Sequence, residues 1–276
     1  MPASRRIFWI WMVLVWLMSA SRVDAESIRV NGTGAMLSAI QQIVERHYQN
    51  QSEIRFDFRF PPIGSSGAIK ALTLKQLDLA LTGRPLKPEE QDAGLIQIAL
   101  GHSPFVFVVH QGAAVSHTTM QEMTEIYAGR QKNWAEGGRI RVILRPVADA
   151  DTAILTAISP AMKEALTLAH ANRQPGSGLA ETDIDLVDLV EKVPGGVGSV
   201  ALTLILAEKR RLKPLHLDGV EPTVKAMEEN RYPLIKPAFL IMRTDASATV
   251  RGIADYLGTP EGQAALHALG ISNRTR

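Results

Sequence analysis

Pro61-Pro62-Ile63-Gly64-Ser65-Ser66-Gly67-Ala68-Ile69-Lys70 lies between two segments of opposite periodicity. Before it, Ile54-Arg55-Phe56-Asp57-Phe58-Arg59-Phe60 alternates apolar and charged residues with period two, which predicts a strand. After it, Ala68, Ile69, Ala71, Leu72 and Leu74 fall on one helical face. Gly64-Ser65-Ser66-Gly67 is therefore expected to be a strand-to-helix turn. Backbone N–H groups at a helix start are unpaired and carry partial positive charge. Glycines let a ligand approach them, and the hydroxyls of Ser65 and Ser66 add donors, which is anion-binding chemistry. An ordinary Ser-capped helix has the same local pattern.

The same unit occurs one step earlier. Ser27-Ile28-Arg29-Val30 reads as a strand, Asn31-Gly32-Thr33-Gly34-Ala35 as a second Gly-rich turn, and Met36, Leu37, Ile40, Ile43 and Val44 recur at helical spacing to about Tyr48. Two such turns at the ends of neighbouring parallel strands lie side by side. Residues 77–81 are nearly continuously apolar, as in a buried parallel strand, and run into Thr82-Gly83-Arg84-Pro85. Arg84 thus ends level with both turns and is a candidate anion partner, or else a surface arginine.

Further along, two strand-like runs, 96–100 and 105–109, flank Gly101-His102-Ser103-Pro104 and read as a crossover into a second lobe. A helix over 118–127 with Thr118 as N-cap, a strand over 139–144 ending in Arg145-Pro146, and a helix capped by Asp149-Ala150-Asp151-Thr152 follow. A loop is expected at 174–180, a helix at 184–190 and a strand after Gly195-Gly196. The apolar segment 233–242 reads as the return to the first lobe, before two closing helices at 248–257 and 260–269. The run Glu208-Lys209-Arg210-Arg211 reads as a solvated helix end, and Trp134 as core or loop packing.

The chain has 276 residues and no cysteine, so no disulfide braces it and stability rests on its cores. Arg5-Arg6, the apolar run 7–18 and Val23-Asp24-Ala25 have the order of a cleavable secretory signal peptide over residues 1–25; an uncleaved anchor is the alternative. Removing those residues takes away Arg5, Arg6, Arg22 and Asp24, so the formal +2 becomes 27 basic against 27 acidic residues, or zero. A neutral exported domain argues against nucleic-acid binding and fits a soluble periplasmic protein.

These segments together resemble phosphate-type solute-binding proteins of ABC importers, in the periplasmic binding protein type II superfamily. The resemblance rests on the two Gly-rich turns, Asp78-Leu79-Ala80-Leu81-Thr82-Gly83-Arg84, Ile126-Tyr127-Ala128-Gly129 with Asn133-Trp134 and Gly137-Gly138, Asp218-Gly219-Val220-Glu221-Pro222-Thr223 and Tyr232-Pro233-Leu234. It implies an α/β fold of two lobes with the ligand in the cleft between them. Lobe one is expected over 26–105 and 221–276, and lobe two over 106–220. It also implies ligand contacts at the Gly34, Ala35 and Met36 backbone and Ser65 from lobe one, and at Arg145, Asp149, Asp151 and Thr152 from lobe two, beside Ser66 and Arg84.

The chain departs from the family pattern at three places. Met36 stands where a hydroxyl residue is usual, Gly83 where the third strand carries an acidic proton acceptor, and Asp149 and Asp151 where phosphate binders present neutral donors. A carboxylate about 4 Å from a ligand charge repels it by roughly 4 kcal/mol at an effective dielectric near 20.

The expected function is capture of a small oxyanion, phosphate by default, for a membrane ABC permease, by a monomer without cofactor, metal or catalytic role. The alternative is a sensing or accessory subunit that reports to a membrane protein through a degenerate anion site. A hydrolase using Ser65 or Ser66 lacks the Gly-x-Ser-x-Gly elbow, and none of the seven histidines sits in a motif with an acid. Metal ligand spacing is absent; Asp149 and Asp151 fit a helix cap better than a cation site.

Overall fold

The computed structural model describes residues 26–173 and 176–274. The expected signal peptide, residues 1–25, lies outside the described residues, as do positions 174–175 of the expected loop. The chain opens with β1 (Glu26–Gly32), α1 (Gly34–His47), β2 (Ile54–Phe58), α2 (Gly64–Thr73), β3 (Leu79–Thr82), the short α3 (Pro88–Gln91) and the long β4 (Leu95–His110). β1 runs parallel to both β2 and β3, with Val30 level with Phe58 on one side and Leu79 on the other. This register brings the N-termini of α1 and α2 and the end of β3 to one edge of the sheet.

The second lobe follows as β5 (His117–Thr118), α4 (Met120–Tyr127), β6 (Arg141–Leu144), α5 (Ala150–Ile158), α6 (Pro160–Ala171), β7 (Gly178–Leu179), α7 (Asp183–Lys192), β8 (Gly196–Ala201), α8 (Leu202–Glu208), β9 (Leu212–Pro214) and β10 (His216–Leu217). The chain returns through α9 (Val224–Glu228) and β11 (Ile235–Arg243) and closes with α10 (Ala248–Gly258) and α11 (Pro260–Ala268).

One strand serves both lobes. Residues 95–104 of β4 pair antiparallel with β11, and residues 105–109 pair with β8. Strand pairing is therefore continuous in the order β2-β1-β3-β11-β4-β8-β6-β7. The two strand-like runs expected at 96–100 and 105–109 are one strand, and the crossover expected between them is part of it. Next to Gly101, which has φ +136°, β4 carries one extra residue, Leu100, where its pairing with β11 shifts between Ala238 and Phe239. A bulge lets a strand change direction while most of its ladder stays paired.

The cores remain separate although the sheet does not. Ile28, Val30, Leu37, Ile40, Leu240, Ile253 and Leu257 pack on one face of the first lobe. Ala68, Ile69, Leu72 and Ile241 pack on the other. Leu240 and Ile241 are successive in β11 and point to opposite faces, as strand geometry requires. Phe105, Phe107, Met123, Leu186, Val187 and Val200 form the second-lobe core, which also takes in Tyr232 and Leu234 from the return segment.

Local differences from the sequence reading have identifiable causes. α2 begins at Gly64, so Gly64-Ser65-Ser66-Gly67 is the helix's first turn, and no side chain caps it. Thr119, not Thr118, caps α4, because Thr119 and Glu122 form a reciprocal capping box. α6 was not expected; Ser159 at N-cap followed by Pro160 is its start signal. Arg210 is not solvated: it is bound to Glu208, Asp188 and Glu191 between α8 and α7. Trp134 packs against the second-lobe core, as expected.

At Gly101, a Cβ would lie 2.4 Å from the carbonyl oxygen of Ser272, whose backbone pairs with His102. Backbone held in a ladder cannot retreat from such a contact. Gly101→Ala should therefore destabilise the protein by about 2–4 kcal/mol, read as a lowered urea midpoint.

Candidate functional site

A cleft of about 470 Å³ opens between the lobes. From the first lobe come Thr33, Ile63, the first turn of α2, Arg84, Lys87 and Lys236; from the second come Arg145, Ala148, Asp149, Ala153, Glu181 and Asp183. The helix starts expected from sequence thus do face a shared space, but they are in different states.

At α2, the backbone N–H groups of Gly64, Ser65 and Ser66 find no acceptor among the described residues. Ser65 does not cap the helix: its hydroxyl oxygen accepts the Gly83 N–H at 3.0 Å, and its own proton stays available to an acceptor. The Ser66 hydroxyl accepts from Arg84 Nη2 at 3.0 Å. Arg84 is held on its other side by Glu90, with Nη1 and Nη2 donating at 2.7 and 2.8 Å. The pairing holds the Glu90 carboxyl below its usual range, chiefly through the hydrogen bonds from Arg84. Lys87, exposed at the cleft, forms no ion pair among the described residues.

At α1 the helix start is taken. Gly34 N–H donates to Asp183 Oδ1 at 2.8 Å, and Ala35 N–H donates to Asp183 Oδ2 at 3.0 Å. Asp183 is the first residue of α7 in the second lobe and is only 3% exposed. A Cβ at position 34 would stand 2.4 Å from Asp183 Oδ1, so Gly34 is what lets the carboxylate reach the backbone. Met36 points away from the cleft into the first-lobe core.

On the second-lobe face Arg145 and Asp149 are already paired, while the exposed Glu181 forms no ion pair among the described residues. Arg145 donates from Nη1 to Ala180 O at 2.6 Å and from Nη2 to Asp149 Oδ2 at 2.8 Å. Asp149 also caps α5 by accepting the Asp151 N–H at 2.9 Å. Asp151 does not line the cleft; it is 1% exposed and pairs with Lys236, itself 5% exposed, on β11. The Thr152 hydroxyl is turned inward and donates to Pro146 O at 2.9 Å. Gly83 leaves the room that Lys236 needs, since a Cβ there would lie 2.6 Å from Lys236 Cε. Lys236 thus passes over Gly83 on the third strand to reach Asp151 on α5.

Of the residues expected to contact ligand, Ser65, Ser66, Arg84, Arg145 and Asp149 line one cleft. Gly34 and Ala35 sit behind Asp183, and Met36, Asp151 and Thr152 are packed away. Asp183, Lys236 and Lys87 were missed. Thr182-Asp183-Ile184-Asp185 does carry a capping-box signature that places Asp183 at a helix start. Lys236, a lone cation in an apolar strand, was also a visible anomaly.

Burial pushes the Asp151 carboxyl up to about 6; Asp149 and Asp183 add to the rise, while Lys236 and Arg145 oppose it. Burial pulls the Lys236 ammonium down, but Asp151, Asp183 and Asp149 outweigh it and hold its pKa above the ordinary value. A carboxyl whose folded pKa is raised stabilises the fold below its unfolded value of 3.8, and that contribution is lost as pH rises through about 6. Lys236→Met removes the opposing charge, so the folded pKa of Asp151 moves higher still. The variant should lose about 3–5 kcal/mol near pH 8, where Asp151 is left charged and buried, and clearly less near pH 5. Urea denaturation at the two pH values measures the difference.

The geometry invites comparison with known proteins. Residues 19–261 match the PBP superfamily domain. The phosphate-binding protein PstS of Bacillus subtilis (strain 168) is 26% identical over 160 residues, covering 56% of this chain and 49% of that protein, so the match spans about half the relative's length. PstS of Borreliella burgdorferi is 19% identical over 270 residues, covering 91% of this chain and 94% of that protein. A phosphate ABC transporter substrate-binding protein solved with bound phosphate, from Clostridium perfringens, shares the fold with a TM-score of 0.75 at 18% identity, over 90% of this chain and 99% of that one. With two α/β lobes about a cleft, and a family match over most of its length, the chain belongs to the PBP superfamily.

Proposed function

We propose that this protein is a periplasmic solute-binding protein that captures a small oxyanion, with phosphate the first ligand to test, and presents it to a membrane ABC permease. In this reading it is a binding protein and not an enzyme, it acts as a monomer without a cofactor, and nucleic acid is not a partner. Lobe one would comprise residues 26–105 and 221–276, and lobe two residues 106–220. Phosphate is the ligand named for both curated relatives and bound in the Clostridium perfringens structure. Export fits the signal-like residues 1–25, and no helix among the described residues is long and apolar enough to cross a membrane.

The observation that carries the reading is the open start of α2. Three unpaired N–H groups, the Ser65 proton and the Lys87 ammonium converge on a cleft walled by both lobes. Backbone donors fixed by a helix bind an oxyanion with little reorganisation, and the helix dipole adds to their attraction. The cost is the Asp149 carboxylate on the facing lobe, which Arg145 offsets at 2.8 Å.

Calorimetric titration with phosphate, sulfate and small organic acids tests the proposal; no heat from any oxyanion would overturn it. Lys87→Ala should weaken the bound oxyanion by about 1–2 kcal/mol while stability without ligand stays within about 0.5 kcal/mol. Ser65→Ala should do two things. It should weaken the ligand by about 1–3 kcal/mol and lower the stability of the empty protein by a similar amount, because Gly83 N–H loses its acceptor.

A further inference from the structure

Resting on the oxyanion reading above, we infer that Asp183 is a built-in competitor for the ligand: a carboxylate of the second lobe that fills the anion seat at the start of α1, holds the empty protein closed and thereby sets its affinity. The carboxylate makes the contacts an exogenous anion would make. Each oxygen accepts one N–H of the first helical turn, from Gly34 at 2.8 Å and from Ala35 at 3.0 Å. These bonds join residues 149 and 148 positions apart, one on each lobe. They join the lobes at the cleft, beside the Lys236–Asp151 pair and the bonds from Ser38 to Glu208 and from Gln42 to Ala207 O.

A second observation marks the place as a ligand seat and not only a helix contact. Thr33, the residue before α1, is 7% exposed and lines the cleft, yet its hydroxyl has no partner among the described residues. A buried hydroxyl left unpaired costs stability. An anion larger than a carboxylate, with a third oxygen, would reach it.

Asp183 is held in place from its own side. The Thr182 hydroxyl accepts the Asp185 N–H at 3.0 Å, and the Asp185 carboxylate accepts the Thr182 N–H at 2.9 Å. This box fixes the backbone turn that carries Asp183, so vacating the start of α1 breaks two bonds that join the lobes. Entry of an oxyanion at α1 is then coupled to lobe opening. The free energy of the Asp183 contact is subtracted from the binding free energy, since a ligand favours only the state it can occupy.

The test uses the protein lacking residues 1–25 in three forms: wild type, Asp183→Ala and Asp183→Asn. Small-angle X-ray scattering without ligand reads lobe closure, and calorimetry reads phosphate affinity. The expected result is a larger radius for Asp183→Ala, which formate or phosphate returns towards the wild-type value. Phosphate affinity of the variant should be about ten- to a hundredfold above wild type, the range of ordinary coupling between sites. Asp183→Asn keeps the shape and one acceptor and should fall between; it decides the matter if the alanine variant does not fold. Unchanged radius and unchanged affinity in the folded variants would overturn the competitor role, with the oxyanion reading intact if phosphate still binds. Opening that formate reverses, with phosphate bound by no form, would uphold the contact and overturn phosphate as the ligand.

Discussion

Lys236 places an ammonium almost out of reach of water on β11, the strand that lies between β3 and the shared strand β4. An isolated buried charge of this kind costs several kcal/mol, and a partner repays it only when the geometry is close. Much of the cleft is arranged around that requirement. Gly83 has no side chain, so the lysine can extend past β3; Asp151 is drawn inward from the first turn of α5 to meet it. Asp149, released from that task, caps α5 and neutralises Arg145. Removing the Asp151 carboxylate would leave Lys236 without its counter-ion, and removing that of Asp149 would leave Arg145 without its own.

The same economy of charge separates the two helix starts. Both present free N–H groups to the interlobe space, and both were legible as anion seats from glycines and hydroxyls alone. One is satisfied by Asp183 from the opposite lobe, and the other faces open cleft beside Lys87. An oxyanion entering between the lobes thus meets one vacant seat and one already held. Arg84 and Arg145, which pattern alone marked as ligand cations, arrive with carboxylates attached at 2.7 and 2.8 Å. Each guanidinium therefore offsets the negative charge of the carboxylate beside it.

The fold was legible where the determinants are local. The alternation of residues 54–60, the helical spacing of Met36 to Val44 and the apolar run at 77–81 each became the expected element. They did so because periodicity records which face is buried, and the burial followed that pattern. At Gly101 the two strand-like runs of the sequence reading are one strand, which carries an extra residue, Leu100, beside the glycine. Residues 160–171 received no element in the sequence reading, although a Ser-Pro start and a modest apolar face mark a helix there.

What the sequence by itself determined, then, was the set of units: strand, glycine turn and helix twice over, a crossover and a return, and polar groups at the turns suited to an anion. Those follow from interactions between residues a few positions apart, which pattern and capping chemistry express directly. Which polar group meets which was decided only by the tertiary structure. Asp183 reaches Gly34 across 149 positions and Lys236 reaches Asp151 across the cleft floor, and neither pairing leaves a trace in local spacing. Long-range partners depend on how two lobes dock over a shared strand, and docking is set by the packing of whole cores. Hence the two aspartates that read as ligand contacts in the chain became, in the fold, a cap and a buried counter-ion, while Asp183, not read as a ligand contact, holds the start of α1.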